Sequence, residues 1–326
     1  MDFALTLDGR PVYLLASCLG DGDTGGGLMY YDGKAWIGLD GVSTTGLFVT
    51  GDELVRLLWA PHQVANGTEV LHYSARGFER HTHIRGFTDP HDVLWDGKHY
   101  VAVSAFQDCV VWVAPGGEVV RCYQPSPGGD CWHLNCLVVH EGIIYVTAFG
   151  RFKQRRGWAG HQREGTGVLF RMDNGADVLG GLCCPHSPRR IGNEWVLCNS
   201  FTGELMVYKA GGELVRRMQL NDWVRGLAFA DHQILVGESV NRQLTTDVRG
   251  ASVAVLDRRT WNVLGRLKLP YREVYDLALV SLDLLNGLRG APGPCQLTLC
   301  PPEIPRGAAA RSWKPSFREW LRRSTW

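Results

Sequence analysis

Between Pro90 and Pro125 short apolar runs alternate with turn residues. Asp92-Val93-Leu94-Trp95 leads into Asp96-Gly97-Lys98, then Tyr100-Val101-Ala102-Val103-Ser104 and Val110-Val111-Trp112-Val113. The turn Pro115-Gly116-Gly117 follows, and Glu118 to Tyr123 closes the group. β-branched and aromatic runs separated by Asp-Gly and Pro-Gly turns are the signal of antiparallel hairpins, so the group predicts four strands in one small sheet.

The same succession recurs along the chain. It runs from His186 to Leu220, and from His133 to Leu182 around a long insertion at Phe152 to Thr166. It runs again from Trp223 to Leu269 around a second insertion at Val240 to Gly250, and in weaker form from Thr45 to Thr88. Repeats of this kind decide a fold before any single residue does. The N-terminal copy holds only three strands, over Val12–Ala16, Gly27–Tyr31 and Ala35–Gly38. The missing strand lies at the other end, where Val274 to Val280 reads as a first strand with no unit after it.

Joining the two ends completes the sixth unit and leaves no open ring edge. We therefore expect an all-β, six-bladed β-propeller closed by pairing of a C-terminal strand with the N-terminal blade. Seven blades is the alternative if another unit follows residue 283. Residues 1–281 form the propeller in this reading, and 282–326 a Pro-rich, irregular C-terminal tail. The basic stretch Ser316 to Arg323 either packs loosely or docks on a partner, so a homo-oligomer joined through the tail is one expectation.

Composition adds mostly exclusions. The chain is 45% hydrophobic and 21% charged with a formal net charge of +1, which gives no field for nucleic acid or a membrane surface. No signal-like N-terminus and no long apolar run is present, so a cytoplasmic location is expected, with the ten cysteines as thiols. P-loop, dinucleotide-binding, serine-hydrolase and HExxH signatures are all missing.

Function in a propeller sits where the innermost strands begin, at one mouth of the channel. Aligning the blade starts puts His91, His133 and His186 in one register, with Thr45, Arg225 and Tyr275 or Asp276 at the matching places in the other blades. Three neutral imidazoles suit a transition metal ion (zinc, iron, copper or nickel) with an open position for water or substrate. Alternatively each histidine serves as an acid–base group, or simply bonds across a blade junction. Arg189 and Arg225 would hold a small anionic substrate, unless each pairs with an acid such as Asp92 or Asp276. Asn135, Tyr275 and Glu238 are candidate catalytic groups. The loop Arg151 to Arg163 carries five basic residues and two aromatics, and reads either as a lid over the mouth or as a solvated loop. Cys131, Cys136, Cys183 and Cys184 flank two of the histidines and read first as small buried apolar residues.

At Trp132-His133-Leu134-Asn135, Tyr145 to Gly150, Pro185-His186-Ser187-Pro188-Arg189, Gly203-Glu204-Leu205 and Arg225 to Phe229, the chain resembles a bacterial family of uncharacterised propeller-like proteins. The resemblance implies a propeller with a shared site around His133, Asn135, His186 and Arg189, and no assigned reaction. The chain departs from that family's pattern in its Cys183-Cys184 pair and its Pro-rich tail. A looser similarity to six-bladed metal-dependent lactonases and lyases is one of fold alone, because those enzymes use carboxylates and an asparagine around calcium where this chain shows histidines.

The residues together lead us to expect a metal-assisted or histidine-based lyase or hydrolase acting on a small anionic metabolite at the channel mouth. The alternative is a non-enzymatic propeller that binds a peptide or protein partner over the same mouth. We expect neither nucleic acid nor membrane as a partner.

Overall fold

A computed structural model describes residues 3–21, 24–59, 66–240 and 250–293. The second insertion, over 241–249, and the tail from 294, including Ser316 to Arg323, lie outside the described residues.

Blade 1 contains β2 (Arg10–Asp21), β3 (Thr24–Tyr31) and β4 (Trp36–Asp40), preceded by the short β1 (Leu5–Leu7). Blade 2 is β5 (Thr44–Thr50), β6 (Glu53–Leu58), β7 (Gly67–Ser74) and β8 (Gly77–Arg85). Blade 3 is β9 (Pro90–Trp95), β10 (Tyr100–Ser104), β11 (Cys109–Val113) and β12 (Val119–Tyr123). Blade 4 is β13 (Leu134–His140), β14 (Ile143–Ala148), β15 (Gly167–Arg171) and β16 (Asp177–Leu182). Blade 5 is β17 (Pro185–Ile191), β18 (Glu194–Asn199), β19 (Glu204–Lys209) and β20 (Leu214–Gln219). Blade 6 is β21 (Trp223–Phe229), β22 (Gln233–Ser239), β23 (Ser252–Asp257) and β24 (Val263–Lys268).

The last strand, β25 (Glu273–Val280), returns to blade 1 and pairs antiparallel with β2, from Tyr13↔Val280 to Leu19↔Glu273. The six-bladed ring and its closure are as the repeat pattern predicts. Each innermost strand packs beside the next, from β5 through β9, β13, β17, β21 and β25 back to β5. Between neighbouring blades lie apolar layers such as Val55, Ile84, Tyr100 and Val111 between blades 2 and 3. Burying both faces of each sheet in this way is what stabilises a fold with little helix.

The segment after the ring is not wholly irregular. Leu282–Gly290 form helix α1, capped by Ser281, whose side chain accepts the Leu284 N–H. Leu284, Leu285 and Leu288 are buried against blades 1 and 2. An apolar face at helical spacing overrides the Pro-rich composition that follows it. No helix among the described residues is long and apolar enough to cross a membrane.

Candidate active site at the channel mouth

Every innermost strand carries a bulge near its start. In blade 4 Leu134 pairs with Ala148 and Leu137 with Val146, so Asn135 and Cys136 face the single residue Thr147. The same shift separates His186 from Arg189, Val224 from Leu227 and Thr44 from Leu47. In blades 3 and 1 the extra residue is His91 and Tyr275. The structural register therefore aligns His91 with Asn135, Ser187, Arg225, Tyr275 and Thr45.

His133 and His186 fall outside that row, which corrects the alignment drawn from sequence. His133 stands level with Asp89, and both adopt left-handed backbone, at φ 54° and 51°. His186 stands level with Pro90. The three histidines thus sit at three heights. His91 and His133 are neighbours, with ring centroids 5.1 Å apart. Phe149 lies between the other two, 4.1 Å from His133 and 5.3 Å from His186. Among the described residues no group of three or more His, Cys, Asp or Glu side chains is placed to hold a metal ion. The three imidazoles do not meet at one point: His91 and His133 are neighbours, while the Phe149 ring stands between His133 and His186.

The mouth is instead a belt of rings. Tyr275 meets His91 at 5.5 Å, His133 meets Trp158 at 4.6 Å, and His186 meets Trp223 at 5.9 Å. Trp158 belongs to the loop after β14, so part of that insertion folds over the mouth. Its indole N–H donates to both the backbone and the carboxylate of Asp130, at 3.0 and 2.9 Å. The loop's arginines mostly lie over aromatic faces: Arg151 over Trp132, Arg155 over Phe106, Arg156 over Trp158 and Arg163 over Phe201. Arg151 is also paired with Asp177.

Asp130 also orients His133. Its Oδ1 lies 2.6 Å from His133 Nδ1. A carboxylate only accepts, so Nδ1 carries the hydrogen, and in the neutral imidazole the lone pair is then at Nε2. His91 Nε2 lies 3.9 Å from Asp89 Oδ1. His186 is buried, and its Nδ1 sits 3.0 Å from the Cys184 carbonyl and 2.7 Å from Ser200 Oγ, which itself donates to Val224 O of blade 6. That set of bonds holds a blade junction together.

The other candidates separate in the same way. Asn135 is fully buried, donates to His133 O at 3.1 Å and accepts from Thr147 Oγ1 at 2.7 Å. It props the backbone under His133. Arg225 pairs with Glu273 and stacks 3.9 Å from the Tyr275 ring. Glu238 is gripped by Arg266 at 2.8 and 3.1 Å and accepts from Asn221 N and Ser252 Oγ. Those bonds leave it a structural acid of blade 6. Arg189 lies 3.4 Å from Asp276 and keeps 29% of its side chain exposed.

Below the belt two carboxylates are buried in the channel wall. Burial first, and the charge of Asp276 second, push the Asp92 carboxyl up to about 7. Burial likewise raises Asp276, against the opposing pull of Arg189. Room for them comes from glycine: a Cβ on Gly46 would stand 2.7 Å from Asp92 Cα, and one on Gly226 3.2 Å from Asp276 Cα.

Asp108 fixes the opening of blade 4. Its carboxylate accepts the N–H groups of Cys131 at 2.6 Å, Trp132 at 3.0 Å and Leu134 at 3.4 Å. Phe149, Trp158, Trp223 and Asp130 also escaped the sequence reading of the site. The signal that could have found Asp130 is its place three residues before His133, opening a tight turn. Cys131, Cys136 and Cys184 are free thiols whose pKa values burial raises, as buried apolar residues require.

Over residues 37–283 the sequence matches the family described as Domain of unknown function (DUF4915). The chain belongs to that family. No curated protein matches it. The DUF4915 chain is similar in structure to a chain of the nidogen/laminin complex, at 11% identity and TM-score 0.59, over 83% of this chain and 98% of that one. It is similar to a putative 6-phosphogluconolactonase from Bacteroides fragilis, at 12% identity and TM-score 0.55, covering 83% and 98%. A periplasmic gluconolactonase of Pseudomonas aeruginosa is 14% identical with TM-score 0.50, covering 83% and 99%. At these identities the likeness is one of fold alone.

Proposed function

We propose that the DUF4915 chain is a histidine-based hydrolase or lyase that acts on a small anionic metabolite at the channel mouth. One observation carries the reading: His133 is oriented by Asp130 at 2.6 Å and packs against His91, which in turn meets Tyr275. An imidazole whose Nδ1–H is held by a carboxylate presents Nε2 as a general base. His133 takes a proton from water or from carbon, and His91 or Tyr275 returns one to the leaving atom. Both arginines contact an acid, but Arg189 keeps 29% of its side chain exposed where Arg225 keeps 4%, so Arg189 is the cation offered to the anionic group. Trp158 excludes water above the ring belt. The steps in this reading are carried by side-chain acid–base groups, and none is assigned to a metal ion. A cytoplasmic location and a single small-molecule partner belong to the same reading.

The experiment is a panel of sugar-acid lactones, phosphosugars and hydroxy acids, followed by proton NMR with the wild-type chain, His133→Asn and Arg189→Met. Depletion of one compound by the wild type, slowed about 10²- to 10⁴-fold in His133→Asn, is the expected result for loss of a general base. Equal turnover in wild type and His133→Asn overturns the assignment. Ligand-induced stabilisation without turnover favours the non-enzymatic binding propeller instead.

A further inference from the structure

A second groove lies at the outer strands of blades 2 and 3. It has a volume of about 420 Å³ and is lined by Arg85, Phe106, Gln107, Cys109, Cys122 and Gln124, among others. Its two cysteines belong to adjacent strands. Val111 of β11 pairs with Cys122 of β12, and Cys109 lies two residues before Val111, so both thiols project from the same face of the ladder. They are in side-chain contact. Cys109 is buried and Cys122 exposed, and both are free thiols.

We propose that Cys109 and Cys122 are a peroxide-oxidised thiol pair that closes reversibly to a disulfide at this groove. The reading is independent of the reaction at the channel mouth. In the first step the Cys122 thiolate attacks hydrogen peroxide, the O–O bond breaks, and Cys122 becomes a sulfenic acid with release of one water. In the second the Cys109 sulfur attacks the sulfenic sulfur, the S–O bond breaks, and a second water leaves with the Cys109 proton. Two thiols are oxidised and one peroxide is reduced. The order follows from access, because peroxide reaches the exposed Cys122 through the groove while Cys109 waits beneath as the resolving thiol. Diagonal neighbours on an antiparallel ladder have Cα atoms about 7–8 Å apart, beyond the usual disulfide span, so closing the bond draws the outer strand β12 toward β11. The bond is therefore strained and readily reduced, as reversible disulfides are.

The test treats the full chain with a few equivalents of hydrogen peroxide, alkylates remaining thiols after unfolding, and maps peptides by mass spectrometry without reductant. The expected product is a single Cys109–Cys122 cross-link, lighter by two hydrogens and reversed by dithiothreitol. Cys122→Ser, at an exposed position, should fold and lose the cross-link. In Cys109→Ala, Cys122 should proceed to sulfinic acid or take up glutathione. Finding wild-type Cys122 unoxidised, over-oxidised or linked to another cysteine, with Cys109 still open to alkylation, overturns the proposal.

Discussion

Asp92 and Asp276 occupy the same step on the innermost strands of blades 3 and 1, and each accepts a backbone N–H from the blade that follows. Asp92 Oδ2 takes Leu137 N at 2.9 Å, and Asp276 Oδ2 takes Leu47 N at 3.2 Å. Each also accepts the N–H of its own next residue, Val93 and Leu277, at 2.8 Å. The ring is stitched at these points by buried acids, and Arg189 is paired with Asp276.

That arrangement makes stability depend on pH in a specific direction. Asp92 has its carboxyl raised from 3.8 to about 7 in the folded chain. The unfolded state then loses its proton first, so the contribution of Asp92 is fully present below about pH 4 and is lost as pH rises to about 7. Urea denaturation of the wild type and Asp92→Asn should show a stability difference that changes across this window and levels off above it. A pH-independent difference would remove Asp92 as the titrating group.

The architecture was legible because it depends on repeated local patterns. Asp-Gly and Pro-Gly turns between β-branched runs marked the blades, and an unpartnered run at Val274 to Val280 marked the closure. The site was less legible, and the reason is the bulge. One extra residue in each innermost strand obscures the row assignment, so His133 and His186, which line up with His91 by eye, stand level with Asp89 and Pro90 instead. The alternative pairing of Arg189 with a neighbouring acid was visible in sequence, and Asp276 is that acid. The roles of Asp108 and Asp130 were not, because they arise from carboxylates reaching backbone and rings across turns. Helix α1 was masked by the proline-rich sequence after it.

Gly46 is required by its neighbour rather than by its own backbone. An added methyl would meet Asp92 Cα at 2.7 Å and Val93 N at 2.9 Å. Backbone atoms of another blade cannot rotate away as a side-chain tip does. Gly46→Ala should therefore cost about 1–3 kcal/mol, the usual penalty for overpacking. Gly41→Ala, where a Cβ meets nothing within 4 Å, is the control expected to unfold near the wild-type midpoint. Thermal or urea melts of the two variants decide the point.

His133 combines a left-handed backbone with a ring-lined pocket. Asparagine tolerates that backbone and a β-branched residue does not. His133→Val should be less stable than His133→Asn by about 1–2 kcal/mol, the cost of the left-handed conformation. Equal melting of the two variants would show that the backbone at this position relaxes freely.

Trp158 ties the long loop to the mouth through three residues: the His133 ring at 4.6 Å, the Phe149 ring at 5.2 Å and Asp130, to which it makes two hydrogen bonds. The side chain is only 9% exposed. Removing it takes away the packing and also frees one partner of the Asp130 carboxylate that orients His133. Trp158→Ala should cost about 3 kcal/mol, the low end for a buried tryptophan, since the loop can partly collapse. Amide exchange should quicken over the loop and around Asp130, while the strands of blades 1 and 2 keep their protection. Trp158→Phe keeps the stacking and loses the indole N–H, so it should restore most of the stability and little of the Asp130 bonding. If exchange over the loop is the same in wild type and Trp158→Ala, the indole does not hold the loop over the mouth.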